Sequence, residues 1–157
     1  MISRVAGAAM MVLVLGVPAG LAAQEPAEPE VEREILAVQA AMRDAAQSLD
    51  ADRLFTYVME TDIPPIIEDG RVLPTRAEAR RSTARALEGL SRIAYDYDRE
   101  DVTMLSPTVA LWVGDGMARA TLADGREISA PFAETMVLVR GDDGWKVLHA
   151  HRSAPGR

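Results

Sequence analysis

Apolar positions along the chain recur first at helical spacing and later at every second residue. Val31, Ile35, Val38, Met42, Ala45 and Leu49 step by four and three in turn, the stripe of one amphipathic helix of about 20 residues. Asp50 is placed to cap a second helix with Leu54, Phe55, Val58 and Met59 on its buried side. Ile63-Pro64-Pro65 ends that helix, since proline has no amide to donate and disfavours helix in the residue before it. Ile66-Ile67 and the turn Glu68-Asp69-Gly70 predict a short strand or hook. Thr75-Arg76-Ala77-Glu78 is a capping box, and the third helix it opens runs to about Gly89-Leu90 with Ala77, Ala84, Leu87 and Leu90 facing in.

Beyond Leu90 the period changes to two. Ile93–Leu105, Thr108–Val113, Met117–Leu122, Glu127–Arg140 and Trp145–Arg152 read as strands. Between them lie the turns Ser106-Pro107, Gly114-Asp115-Gly116, Asp124-Gly125 and Gly141-Asp142-Asp143-Gly144. Pro131 belongs at a bulge or an edge of its strand. Three helices followed by an antiparallel meander define an α+β domain. Pairing the last two strands about Gly141–Gly144 sets Arg140 opposite Trp145, and so Leu138 by Val147, Met136 by His149 and Glu134 by His151, all on one face. A one-residue bulge would separate Glu134 from His151. The opposite face carries Thr135, Val137, Val139, Leu148 and Ala150. One face should meet the helices; the other is a candidate surface for a second subunit.

The start of the chain has a different character. Arg4 precedes the apolar run Val5–Val17, Pro18 and Gly20 break it, and Leu21-Ala22-Ala23 supplies small residues for cleavage. That order of parts is a secretory signal over residues 1–23, and it predicts an exported, periplasmic or secreted protein with no membrane attachment after cleavage. Gln24–Glu30 is rich in Pro and Glu and reads as a disordered linker, leaving one domain over residues 31–153 and a tail at 154–157. The whole chain has 157 residues, 17 Lys+Arg against 24 Asp+Glu, a net charge of −7 and no cysteine. Disulfides, thiol catalysis and Cys-type zinc sites are thereby excluded, and the acidic balance argues against a nucleic-acid partner. Nucleotide-loop and serine-hydrolase motifs do not occur, and no cofactor is expected.

With the strands placed, the order of parts resembles the nuclear-transport-factor-2-like superfamily, in its SnoaL-like branch. The resemblance covers Val31 to Ser153 and is carried by the long first helix, Leu105-Ser106-Pro107-Thr108-Val109-Ala110 and the Thr135–Arg140 strand. Above all it rests on the ending Gly144-Trp145-Lys146-Val147-Leu148-His149-Ala150-His151-Arg152-Ser153. It implies a cone in which a strongly curved, mostly antiparallel sheet wraps three helices around a pocket, and homodimers formed through the outer sheet face. The superfamily includes isomerases, dehydratases and cyclases as well as association modules without chemistry, so fold alone does not decide function.

His149 and His151 are the only histidines. With Glu134 they allow three readings. The first is an acid/base pair in which Glu134 orients His151, a proton-transfer enzyme of isomerase, dehydratase or cyclase type. The second is a metal site of His149, His151 and Glu134. The third is a satisfied polar patch on a pocket wall. The leading expectation is a binding protein for a small apolar organic molecule, with Trp145, Val147, Met136 and Leu138 as wall, Tyr57 at the mouth, and Glu134, His149 and His151 as the polar end. A filled core serving homodimeric association is the remaining alternative. Tyr95 and Tyr97 share a strand face opposite Asp96 and Asp98. Ketosteroid isomerases of the resembled superfamily suggest a donor role for such tyrosines, and half-buried packing is the default. Arg76, Arg80, Arg81, Arg85 and Arg92 read as a solvated, salt-bridged helix face.

Overall fold

A computed structural model describes residues 26–61, 63 and 65–154. The expected signal over 1–23 lies outside the described residues, as do Asp62 and Pro64. Helix α1 spans Pro29–Gln47, with proline in its first turn and Glu30 and Glu32 at the positive end of its dipole. It buries Ile35, Gln39, Met42, Ala45 and Ala46. Helix α2, Ala51–Phe55, is capped by Asp50, whose carboxylate accepts from the Arg53 amide at 2.9 Å. It stops at Phe55, short of Met59, because residues 57–59 leave the helix to pair with a strand.

Strands β1 (Ile66–Glu68) and β2 (Arg71–Leu73) form the expected hook, turning on Asp69 and Gly70 with φ of 48° and 75°. Helix α3, Arg76–Glu88, opens on Thr75, whose hydroxyl accepts from the Glu78 amide at 3.1 Å. Arg76 ties α3 to the end of α2 by donating to the carbonyls of Phe55 and Val58. Four long strands follow: β3 (Leu90–Ser106), β4 (Val109–Leu122), β5 (Glu127–Gly141) and β6 (Gly144–Ser153). All six strands form one sheet in the order β2-β1-β6-β5-β4-β3, antiparallel except where β1 runs parallel to β6. Helices on one face of such a sheet make the α+β architecture expected from the pattern. The core between them includes Ile35, Phe55, Trp112, Leu138 and Val147, all fully buried.

Two expectations are corrected here. Gly114-Asp115-Gly116 is not a turn; β4 runs through it without a break. The glycines are there because the inner face is crowded. A Cβ on Gly114 would lie 2.6 Å from the Trp112 indole, and one on Gly116 would lie 2.8 Å from the Tyr97 Cα of the neighbouring strand. The linker expected over Gln24–Glu30 is also corrected in its described part, residues 26–30. Pro26 bridges to Thr103, Ala27 is buried in the core, and Pro29 already belongs to α1. Pro131 stands at an edge, as its missing amide requires: β6 pairs with β5 only as far as Ala133, so Pro131 has a partner strand on one side alone.

Candidate functional site

A cavity of ≈160 Å³ lies between α1, α3 and the inner face of the sheet. Met42 and Leu54 from the helices, Leu87 from α3, and Met136, Val147 and Ala150 from the sheet give it apolar walls. Its polar end is built from four elements. Gln39 comes from α1, Tyr95 and Tyr97 from β3, Glu134 from β5 and Arg152 from β6. Gln39 is the one polar residue that interrupts the buried side of α1, standing between Ile35 and Met42.

These groups form a connected network. Gln39 Nε2 donates to the Tyr97 hydroxyl at 2.8 Å, and that hydroxyl donates to Glu134 Oε2 at 3.2 Å. Arg152 Nη2 donates to the same carboxylate oxygen at 3.2 Å, and Arg152 Nη1 donates to the Tyr95 hydroxyl at 3.2 Å. Aromatic edges hold the frame. Tyr97 meets Trp112 and Phe132 in T-shaped contacts at 5.5 and 5.1 Å, and the Arg152 guanidinium lies 4.9 Å from the Tyr95 ring centre. Glu134 is 7% exposed, so its charge depends on these donors. Burial works against the Arg152 charge, and Glu134, Tyr95, Tyr97 and Glu68 outweigh it and hold the guanidinium pKa further up. Burial, and after it the Glu134 charge, push the Tyr97 phenol well above its ordinary value of 10. Tyr97 is therefore a neutral donor throughout the physiological range.

That shift has a measurable consequence. Above pH 10 the folded chain keeps a proton on Tyr97 that the unfolded chain releases, so this contribution to stability is intact below pH 10 and falls as pH rises beyond it. Unfolding free energies from urea titrations between pH 8 and 11 should decline more steeply for the native protein than for Tyr97→Phe, by up to about 1.4 kcal/mol per pH unit above pH 10. Parallel curves would show that the Tyr97 proton is not held by the fold.

The expected alignment of the last hairpin holds near the turn and fails beyond it. Arg140 faces Trp145 and Leu138 faces Val147, but Val137 faces His149, so Leu148 is an extra residue in β6. From there Met136 pairs with Ala150 and Glu134 with Arg152, while His151 pairs with Thr135. His151 is exposed on the outer face, and His149 lies half-buried on that face opposite Val137. Neither histidine meets Glu134 in the cavity. The acid/base pair of His151 with Glu134 and the metal set of His149, His151 and Glu134 are thus both corrected, and no cluster of three metal-ligating side chains occurs among the described residues.

The bulge has a structural cause on the far edge of β6. Val147 exchanges hydrogen bonds with Tyr57 and Met59, and Ala150 donates to Pro65 at the start of β1. Two separate segments dock there, and the extra residue falls between them. Among the expected wall residues, Met136 and Val147 line the cavity. Trp145 and Leu138 belong to the core instead, with Trp145 Nε1 donating to Glu34 at 3.0 Å. Tyr57 packs beside the core and contributes its backbone carbonyl to Val147. Asp96 is paired with Arg119 on the outer face, away from the tyrosines.

Solved structures share this architecture. A dehydratase candidate of the NTF2-like family from Streptomyces avermitilis is 17% identical, with a TM-score of 0.74 over 83% of this chain and 100% of its own. An NTF2-like superfamily protein from Salmonella enterica serovar Typhimurium is 16% identical, with a TM-score of 0.72 over 83% and 95%. A ketosteroid isomerase-like protein from Erwinia carotovora is 19% identical, with a TM-score of 0.68 over 83% and 100%. Comparison with curated proteins finds no match. At these identities the likeness is one of fold. Residues 35–156 match the SnoaL-like domain, from α1 through the end of β6, and the chain belongs to that family.

Proposed function

We propose that this protein binds a small, mostly apolar organic molecule in the cavity between α1, α3 and the sheet, and that it does so as an exported homodimer. The observation that carries the reading is the cavity itself: apolar walls closing on a single polar end whose members are joined by hydrogen bonds. Its ≈160 Å³ is close to engineered cavities of roughly 150 Å³ that take up benzene. A ligand of one ring, or a short branched chain, fits that size; a fused polycycle does not. Export rests on the signal pattern of residues 1–23. The dimer rests on the outer sheet face, where Val109, Leu111, Val137 and Val139 are only half-buried and Val113 is exposed.

A second reading, a proton-transfer enzyme on the same ligand, is favoured by a carboxylate and a neutral phenol side by side in the cavity wall. Glu134 and Tyr97 would be its working groups in place of His151. Native mass spectrometry of protein recovered from a bacterial periplasm tests the binding reading. The expected species is a dimer of chains beginning near Ala23 that carries, or takes up on soaking, an organic molecule of single-ring size. Chains that retain Met1 would overturn export, monomers the dimer, and refusal of every single-ring compound the pocket. Incubating the loaded protein in D2O separates the two readings, since only the enzyme would wash deuterium into carbon positions of the ligand.

A further inference from the structure

The network at the polar end has a direction, and the direction selects a ligand. Gln39 donates to Tyr97, Tyr97 donates to Glu134, and Arg152 donates to the same Glu134 oxygen. On that path the Tyr97 proton is already given to Glu134, and Arg152 Nε is a buried N–H that has no hydrogen-bond partner among the described residues. Tyr95 differs: its oxygen accepts from Arg152 Nη1 at 3.2 Å, its ring edge is fixed against Phe132 at 5.6 Å, and it lines the cavity. A phenol oxygen that accepts a hydrogen still has its own O–H to give, and acceptance from a guanidinium makes that O–H a stronger donor.

The wall's charges point the same way. Arg43 and Arg152 line the cavity together with Glu68 and Glu134, two of each sign. Arg152 bonds Glu134 and stands beside Glu68 in the β1–β6 register, and Arg43 lies over the Tyr97 ring with Glu100 3.7 Å away. No unbalanced charge awaits an ionised ligand, and a charged one would have to break a pair formed in a confined site. Resting on the binding reading above, we infer that the cavity selects an uncharged, single-ring-sized molecule with one acceptor oxygen, which Tyr95 holds by its hydroxyl.

Three probes of matched size test this on the full protein and on Tyr95→Phe: cyclohexanone, its isostere methylenecyclohexane, and cyclohexanecarboxylate, followed by ligand-detected NMR. In the native protein the ketone should bind at least about tenfold more tightly than the carboxylate, the scale of one displaced ion pair. Tyr95→Phe should weaken the ketone about three- to tenfold, the worth of one hydrogen bond, and leave the hydrocarbon unchanged. Equal effects of the substitution on ketone and hydrocarbon would overturn the role of Tyr95. Tighter binding of the carboxylate would overturn the preference for an uncharged ligand. If none of the three binds the native protein, the binding reading itself falls. Should Tyr95→Phe fail to fold, the native order of ketone over carboxylate still decides the charge preference, and the native order of ketone over methylenecyclohexane decides whether a donor holds the oxygen.

Discussion

Replacing Glu134 by leucine is expected to destabilise the protein by about 3 kcal/mol, more than any exposed charge in the chain would. The carboxylate is 7% exposed, and its Oε2 receives both Arg152 Nη2 and the Tyr97 hydroxyl at 3.2 Å. Leucine leaves the guanidinium in a confined site without its counter-charge and leaves the phenol proton without an acceptor. Breaking a buried pair from one side costs roughly 3–5 kcal/mol. The lower end applies because the Arg152 side chain is 29% exposed and retains some solvation. The test is a double-mutant cycle in urea at pH 7. Glu134→Leu and Arg152→Leu should each lower the midpoint, and the double variant should recover much of the loss, because the orphaned charge is gone. Additive losses would mean that the pair is not coupled. Asp52→Ala sets the scale: its partner Arg80 and Asp52 itself are 43% and 79% exposed, and its loss should stay within about 0.5 kcal/mol.

Gly116→Ala should be at least as damaging, at about 3 kcal/mol or more, although it adds one methyl group. Gly116 faces Tyr97 across the β3–β4 ladder, beside a register shift at Asp98. Its added Cβ would press into the Asp96 carbonyl oxygen and lie 2.8 Å from the Tyr97 Cα. Both are backbone atoms of a paired strand, so no rotamer change relieves the overlap; β3 must move, and Tyr95 and Tyr97 move with it. Gly125→Ala is the matched comparison. That glycine has a φ of 87° and nothing within 4 Å of an added Cβ, so only the backbone strain of about 1 kcal/mol applies. Thermal unfolding of the two variants should differ by several degrees. Equal transitions would show that β3 and β4 can separate freely at Gly116.

What was legible beforehand follows from the range of each signal. The stripe from Val31 to Ala45, the Asp50 cap and the Thr75–Glu78 capping box involve residues within a turn or two of one another, and each is found where the pattern places it, while Leu49 falls beyond the end of α1 at Gln47. The hairpin at Gly141–Gly144 pairs Arg140 with Trp145 as its local geometry demands. Gly114-Asp115-Gly116 misled because glycine serves both turns and close strand contacts, and only the neighbouring Trp112 and Tyr97 distinguish the two. Gln39 could have been noticed as a polar residue on an otherwise apolar face. Its partner Tyr97 lies 58 positions away, beyond the reach of any periodicity.

The amino-acid order by itself determined the element types, the α+β class, the family resemblance and the presence of a carboxylate at 134 facing inward. Those depend on the 3.6- and 2-residue periods, caps and turns, which act over a few residues. Which residue of β6 meets that carboxylate was decided by tertiary structure alone. The chain at 57–59 and β1 dock on the same edge of β6 on either side of Leu148, and the extra residue they accommodate turns His149 and His151 outward and Arg152 inward. Because side chains alternate at every residue along a strand, one inserted position exchanges the two faces, and no local pattern records which segments will compete for a strand's edge.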